Sequence, residues 1–428
     1  MAHCAIVGIN WGDEGKGRMV DYLAESYDVI VRYQGGNNAG HTVINEYGEF
    51  KLNLLPSGIF RPEKINLLGA GTVVDLKHIC GEMDRVRAAG VKITPDNFKI
   101  SDRAIMVLPF HPMQDALEEE RLGRDSYGST KRGISPVYGD KYMKKALQMG
   151  DLLRPETLKK HLKKLSDWKN AVFAAAYNQP PISFDETMAW IEEYGSRLIP
   201  YITDAGELLE TAQESGKNFL FEAQLGALRD IDYGIYPFTS SSSPLAAYAP
   251  CGCGLPSAKV ERVVGVVKAY STCVGEGPFV GELDGQAAHD LREAGAEYGA
   301  ATGRPRRVGP FDCVASRYGL QCQGADKIAL TKLDVLSGMK QIPVITGYKL
   351  DGVEVPRFDT LSDLDRVQPV VTLLPGWNKD ISGCKSWAEL PKEAKAYVEF
   401  LEKQLGHEIQ FVSTGAEREK FVLKGEWL

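Results

Sequence analysis

Residues 9–17 read INWGDEGKG, and the segments on either side of this stretch decide the fold. Before it, Cys4, Ala5, Ile6 and Val7 form a short apolar run of strand type; after it, Met19, Val20 and Leu23 recur at helical spacing. The order is strand, glycine loop, helix. At the start of such a helix several backbone N–H groups lack an intrahelical acceptor and the macrodipole is positive. A loop carrying Gly12, Gly15 and Gly17 is therefore suited to hold phosphate, with Lys16 as a point charge beside it. It is not a standard P-loop, because the GxxxxGK[ST] form places a metal-binding hydroxyl directly after its lysine, where this chain has Gly17. Asp13 is the nearest carboxylate. It suits two tasks, binding Mg²⁺ or taking a proton from a group that lies against the phosphates. GDEGKG is also the composition of a plain polar turn, so the rest of the chain must discriminate.

The chain has 428 residues, 50 basic and 57 acidic, for a net charge of -7. No basic block offers a surface to nucleic acid, and no run of ~18 apolar residues suggests a membrane span. The start MAHCAIVGIN enters a strand directly, so a soluble, cytoplasmic protein is expected. Length alone suggests roughly two or three domains. Without a low-complexity linker, a repeat or a break in charge, one continuous α/β body over residues 1–428 is expected instead, with a mainly helical stretch at about 151–216. The eight cysteines are scattered, and the close pair Cys251 and Cys253 has no second pair to complete a zinc site, so reduced thiols are expected.

Further loops of the same character follow apolar runs. DVIVRY at 28–33 leads into QGGNNAGHT, where Gly35, Gly36 and Gly40 permit close backbone approach and His41 ends the loop. A lone histidine is usually structural, but two polar glycine loops after N-terminal strands are where an open α/β sheet places its ligand. Residues 121–138 are rich in glycine, hydroxyl and basic side chains, as is a loop over an anion. Thr239 to Ser243 form a hydroxyl cluster. Thr302, Gly303, Arg304, Arg306 and Arg307 offer guanidinium forks suited to a small carboxylate or phosphate. KIALTKLDVL places Lys332 and Asp334 at a strand end. One carboxylate accepts from both N1–H and the 2-amino group of guanine, whereas adenine leaves it unpaired, so this segment reads as guanine recognition. Ser413, Thr414 and Gly415 end the last long apolar strand, in a loop suited to flank a bound base.

WGDEGKG at 11–17, RYQGGNNAGHT at 32–42, LPSGI at 55–59, KAYST at 268–272, GRPRR at 303–307, TKLDVL at 331–336 and STG at 413–415 together resemble the adenylosuccinate synthetase family. The resemblance spans nearly the whole chain. It implies a large α/β domain around a mostly parallel sheet, with a P-loop-like N-terminal strand, loop and helix. It implies a homodimer that joins inosine monophosphate (IMP) to L-aspartate with GTP and Mg²⁺, by way of a 6-phosphoryl purine. By resemblance Asp13 is the base and a Mg²⁺ ligand, with the Gly40 carbonyl a second ligand, and His41 and Lys16 stabilise the transferring phosphoryl group. Gly12, Glu14, Gly15, Lys16, Gly17, Gly40, Thr42, Arg306, Lys332, Asp334, Ser413, Thr414 and Gly415 match the GTP site. Asn38, Ala39, Thr130, Lys144, Gln224, Leu225, Ser240, Val274 and Arg304 match the IMP site, and Ala301, Thr302, Arg304 and Arg306 the aspartate loop.

Several positions depart from the family pattern. In FEAQLG the family glutamine position holds Leu225, with Gln224 one place early, so a single-residue slip would restore the amide. Lys144 stands for an arginine that reaches the nucleotide 5′-phosphate from the partner subunit; it keeps the charge and loses the fork. Ser240 to Ser243, Ala301 and Asn37 also differ. The departures fall on the acceptor and aspartate sites, which leaves open a paralogue acting on another purine nucleotide, such as a guanine nucleotide giving a 2-amino product. A GTP-binding switch without ligase activity has no need of Asp13 and His41. A dinucleotide-dependent oxidoreductase lacks both GxGxxG in the first loop and any use for TKLD.

Overall fold

The computed structural model describes residues 3–299, 303–359 and 363–425. Its centre is a ten-stranded sheet. In chain order the strands are β1 (Cys4–Gly8), β2 (Val29–Arg32), β3 (Ile65–Leu68), β4 (Phe98–Ser101), β5 (Ile202–Thr203), β6 (Phe219–Gly226), β7 (Arg262–Lys268), β8 (Lys327–Thr331), β9 (Ile409–Ser413) and β10 (Phe421–Leu423). In space they run β10-β9-β8-β7-β1-β6-β2-β3-β4-β5, and every neighbouring pair is parallel except β9 with β10. The α/β class and the mostly parallel sheet expected from the sequence are therefore present. β1 is buried along its whole length, as an apolar run covered on both faces must be. On one face Val7, Val31, Phe221 and Val267 join the largest core; on the other Ile6, Ile30, Leu220 and Val266 meet Met19, Val20 and Leu23 of the helix α1 (Lys16–Leu23).

This topology positions the site. Because the sheet is parallel, the loops after β1, β2, β6, β7, β8 and β9 all leave from the same edge, where open α/β sheets bind ligands. At that edge lie INWGDEGKG at 9–17, RYQGGNNAGHT at 32–42, FEAQLG at 221–226, which ends β6, KAYST at 268–272, TKLDVL at 331–336 and STG at 413–415. The stretch 151–216 is mainly helical, as Pro155–Tyr177, Phe184–Gly195 and Ala205–Glu214, but it also supplies β5 to the sheet. Among the described residues no helix is long and apolar enough to cross a membrane. All eight cysteines are free thiols.

The pairing of β6 with β1 is irregular at its site end. Cys4 to Ile6 face Leu220 to Glu222 in turn, and then Gly8 faces Gly226. Three residues, Ala223 to Leu225, thus stand opposite Val7 alone, a bulge that re-aims their side chains. Leu225 takes φ 65 within it.

Candidate active site

The first loop is folded around its own acid. Glu14 is 2 % exposed, and its carboxylate accepts from the Asn10 N–H (3.1 Å), the Gly12 N–H (2.8 Å) and Lys16 Nζ (2.6 Å). The sequence reading placed Glu14 toward GTP; its side chain is instead turned inward and shapes the loop, holding Lys16 at the start of α1. Thr331 Oγ1 donates to the Glu14 carbonyl at 2.6 Å, which ties this loop to the end of β8. Gly17 has a steric reason: a Cβ there would lie 2.5 Å from His41 Cβ, so only glycine lets α1 begin against the second loop.

That second loop presents His41. Its Nδ1 bonds Glu222 Oε1, while Nε2 is buried and has no hydrogen-bond partner. Glu222 also accepts from the Ser57 N–H at 2.8 Å and Ser57 Oγ at 2.7 Å. Burial opposes ionisation, but His41, Arg32 and Ser57 outweigh it and hold the Glu222 carboxyl below its usual range. Burial pushes the imidazole below its usual range against the pull of Glu222. Glu222 was missed from sequence, although a carboxylate in the middle of the apolar run FLFEAQLGAL was a signal.

Asp13 lies where the loops meet, at φ 59, and its Oδ2 is 3.1 Å from Arg306 Nε. Both residues line a cavity of about 670 Å³. Gly12, Asn38, Ala39, Gly40, Thr130, Leu225, Ser240 and Val274 line it too, so most of the expected acceptor residues converge. Gln224 does not. Its amide is fully buried and donates to the Gly36 carbonyl (2.8 Å) and the Ala39 carbonyl (3.2 Å), fixing the second loop from behind. No slip brings Gln224 to the wall: the bulge puts Leu225 there, over Gly12, where a Cβ would be 3.3 Å from Leu225 Cα. Lys144 is exposed and outside the wall. Arg304 is exposed and pairs with Glu276 at 2.9 Å. Ala301 and Thr302 lie outside the described residues.

Two acids on the helix Phe110–Leu122, missed from sequence, hold the loop that carries Thr130. Asp115 accepts from Ser129 Oγ (2.7 Å) and the Gly133 N–H (2.8 Å), and Glu119 from the N–H groups of Tyr127 (3.0 Å) and Ser129 (2.9 Å).

On the other side of the first loop lies the expected base pocket. Asp334 Oδ1 is buried without a partner, as is Thr414 Oγ1. Burial raises the Asp334 carboxyl, while Lys332 and Arg18 pull it down. Arg18 is the residue that joins this pocket to α1. It donates to Ser413 Oγ, to the Gly415 carbonyl at 2.8 Å and to the Lys420 carbonyl at 2.7 Å. Burial pushes its guanidinium down to about 10. Lys332 Nζ is turned to the Gly295 carbonyl at 2.5 Å, and Thr42 is exposed on the hairpin strand His41–Asn45. The orphaned acceptor Asp334 Oδ1 and the buried His41 Nε2 thus flank a phosphate-type loop from its two sides.

Among the described residues no three His, Cys, Asp or Glu side chains converge on a metal position. One carboxylate, Asp13, with the backbone of Gly40 on the same wall, is the donor set that suits Mg²⁺, which takes one or two carboxylates and completes its shell with phosphates and water.

The family model described as adenylosuccinate synthetase matches residues 5–422. An adenylosuccinate synthetase of Caldanaerobacter subterraneus subsp. tengcongensis is 44% identical over 424 residues, covering 99% of each chain. The structure of the fully ligated adenylosuccinate synthetase from Plasmodium falciparum superposes with a TM-score of 0.92 at 34% identity, covering 99% of this chain and 100% of that one. A cyanophage S-2L succinoaminodeoxyadenylate synthetase bound to dGMP, 18% identical over 99% of this chain and 95% of that one with a TM-score of 0.59, shares the fold alone. The chain belongs to the adenylosuccinate synthetase family.

Proposed function

We propose that this chain is a GDP-forming ligase that condenses IMP with L-aspartate to adenylosuccinate at the expense of GTP. The observation that carries the reading is the cavity wall on which Asp13, Asn38, Gly40 and Thr130 meet, with His41 Nε2 and Asp334 Oδ1 both buried and unpartnered. The purine 6-oxo group is a poor leaving group. In the first step Asp13 takes the N1 proton of IMP, O6 attacks the γ-phosphorus of GTP, and the bond to the GDP oxygen breaks. In the second step the aspartate amine attacks C6, loses a proton and expels inorganic phosphate. Positioning and charge neutralisation supply most of the first step. Lys16 at the helix start and His41 serve there; burial lowers the imidazole, and the negative charge of bound phosphate, added to that of Glu222 at Nδ1, favours the imidazolium whose Nε2 donates to a phosphoryl oxygen. Mg²⁺ held by Asp13 and the Gly40 carbonyl would neutralise phosphate charge.

On this reading Asn38, Ala39, Thr130, Ser240, Val274 and Arg304 hold IMP, and Thr302, Arg304 and Arg306 hold the aspartate carboxylates. Lys332, Asp334, Ser413, Thr414 and Gly415 hold guanine. Because Lys144 is exposed and outside its own chain's wall, it is assigned to the 5′-phosphate in the partner subunit of a cytoplasmic homodimer. The contribution of β5 by the helical stretch supports one domain over residues 1–428. The 44% identity to an adenylosuccinate synthetase, against 18% to the dGMP-bound relative, favours IMP over a guanine nucleotide. The test supplies GTP, Mg²⁺ and aspartate with inosine, guanosine and deoxyguanosine monophosphates. Condensation of IMP is expected, and preference for a guanine nucleotide would overturn the assignment.

The bulge at Leu225 leads to a separate expectation. A hydrogen bond to a charged group is worth ~1.5–3 kcal/mol, or roughly 10- to 150-fold in rate. Since Gln224 is held by the Gly36 and Ala39 carbonyls, Leu225→Gln adds an amide to the wall without disturbing it. Turnover at saturating IMP should rise by ~10-fold or more. No gain in kcat would mean that other donors already complete the phosphoryl contact.

A further inference from the structure

Glu297 is fully buried, and side chains from three segments close on its carboxylate. Lys268 Nζ, at the end of β7, donates to Oε1 at 3.0 Å, and Tyr270 Oη donates to the same oxygen at 2.5 Å. Arg306 Nη1 donates to Oε2 at 2.6 Å, and Lys332 Nζ lies 3.3 Å from Oε1. The backbone joins the same partners, for the Arg306 N–H donates to the Glu297 carbonyl at 2.9 Å and the Gly299 N–H to the Arg304 carbonyl at 2.8 Å. Glu297 and Arg306 thus form the neck of the loop that carries Arg304. Arg306 has a second anion, with Nε 3.1 Å from Asp13 Oδ2.

Fold stability is a weak reason for such a cluster. Taking several charges out of water is costly, and well-packed apolar side chains of like volume commonly serve as well or better. The location offers another reason. Arg306 and Lys332 come from different parts of the chain, one from the aspartate loop and one from the turn that carries Asp334, and Glu297 is the anion they share. We infer that Glu297 is a positioning residue that sets the aspartate loop and the guanine turn against each other as one unit, through Arg306 and Lys332. This inference rests on the function proposed above. Without the charge, Arg306 keeps Asp13 as its ion-pair partner and is drawn toward it, and Lys332 keeps the Gly295 carbonyl. Asn38, Thr130 and Ser240, on the IMP side, are not among the side chains that close on Glu297, and burial already pushes Lys268 down to about 8 with Glu297 as its main support.

The experiment measures KM for GTP, aspartate and IMP in the parent, Glu297→Gln, Glu297→Asp and Tyr270→Phe. The parent is assayed first, and its failure to condense IMP with aspartate would sink the functional reading itself. Given an active parent, Glu297→Gln is expected to raise KM for GTP and for aspartate together, each by ~10-fold or more, the worth of a charge-assisted hydrogen bond. KM for IMP, which shares only Arg304 with this loop and keeps Asn38, Thr130 and Ser240, should rise by a clearly smaller factor than either. Glu297→Asp should recover part of both losses by returning the charge. Tyr270→Phe, which removes one donor to Glu297, should move the same two constants in the same direction by a smaller factor. A rise in all three KM values by the same factor, or a change in one of GTP and aspartate alone, would overturn the inference. Should Glu297→Gln fail to fold, Tyr270→Phe decides: an unchanged KM for GTP and aspartate, or an equal shift for IMP, is the overturning result.

Discussion

Asp13→Asn is expected to lower kcat for condensation by ~100-fold or more while leaving GTP binding and the fold in place, since removal of a general base ordinarily costs at least that much. The substitution is well suited to its purpose. Asp13 sits at φ 59, a left-handed conformation that asparagine adopts at least as readily as aspartate, so the backbone bears no new strain. Arg306 loses one ion pair and keeps the other, to Glu297 at 2.6 Å. The loop itself is held by Glu14, which the change does not touch. What is lost is chemical: an amide does not take the N1 proton, and it is a poorer Mg²⁺ ligand. Steady-state turnover beside equilibrium binding of a GTP analogue separates the two effects. Activity within about tenfold of the parent would remove Asp13 from the role of base.

The same residues show how far sequence reasoning reaches. A short apolar run followed by a glycine loop is a local signal, and because the sheet is parallel every such loop leaves from one edge; β1, β2, β8 and β9 were readable for that reason. Side-chain direction was not. Glu14 beside a phosphate loop looked like a ligand contact, yet the N–H groups of Asn10 and Gly12 and Lys16 Nζ converge on it from within the loop, and that convergence depends on a fold the letters do not spell out. At 222–226 the simple alternation of a strand places Gln224 and Leu225 on opposite faces, but the bulge opposite Val7 re-aims both. No residue in FEAQLG announces it. Glu297 and Arg18 were invisible for another reason: their partners lie at Lys268, Arg306 and Lys332 for one, and at Ser413 to Lys420 for the other, far away in sequence.

Asp334→Asn is expected to invert the choice of nucleoside triphosphate. In the parent, Asp334 Oδ1 is buried with no partner, at the turn Leu333–Leu336 beside the loop Ser413 to Gly415 that Arg18 secures. A carboxylate meets guanine with two acceptors for its two donors, N1–H and the 2-amino group. Asparagine keeps one acceptor and turns a donor toward the 2-amino group, so one hydrogen bond becomes an unpaired, desolvated clash. Losing a hydrogen bond to a charged acceptor and leaving a buried donor unmet amount to ~3 kcal/mol or more, hence a fall in kcat/KM for GTP of roughly 100-fold or more. Xanthosine triphosphate carries a 2-oxo acceptor in place of the amino donor, and the amide N–H meets it while the amide oxygen still accepts N1–H. The loss with one nucleotide is thus matched by a gain with the other, which a general loosening of the pocket does not produce. Burial works in the same direction: it raises the parent carboxyl against Lys332 and Arg18, so replacing it with a neutral amide relieves a desolvation cost and does not threaten the fold. The ratio of kcat/KM for the two triphosphates, at fixed IMP and aspartate, reads the effect directly. An unchanged ratio would take Asp334 out of the base pocket, and with it the reason for the lysine and aspartate at the end of β8.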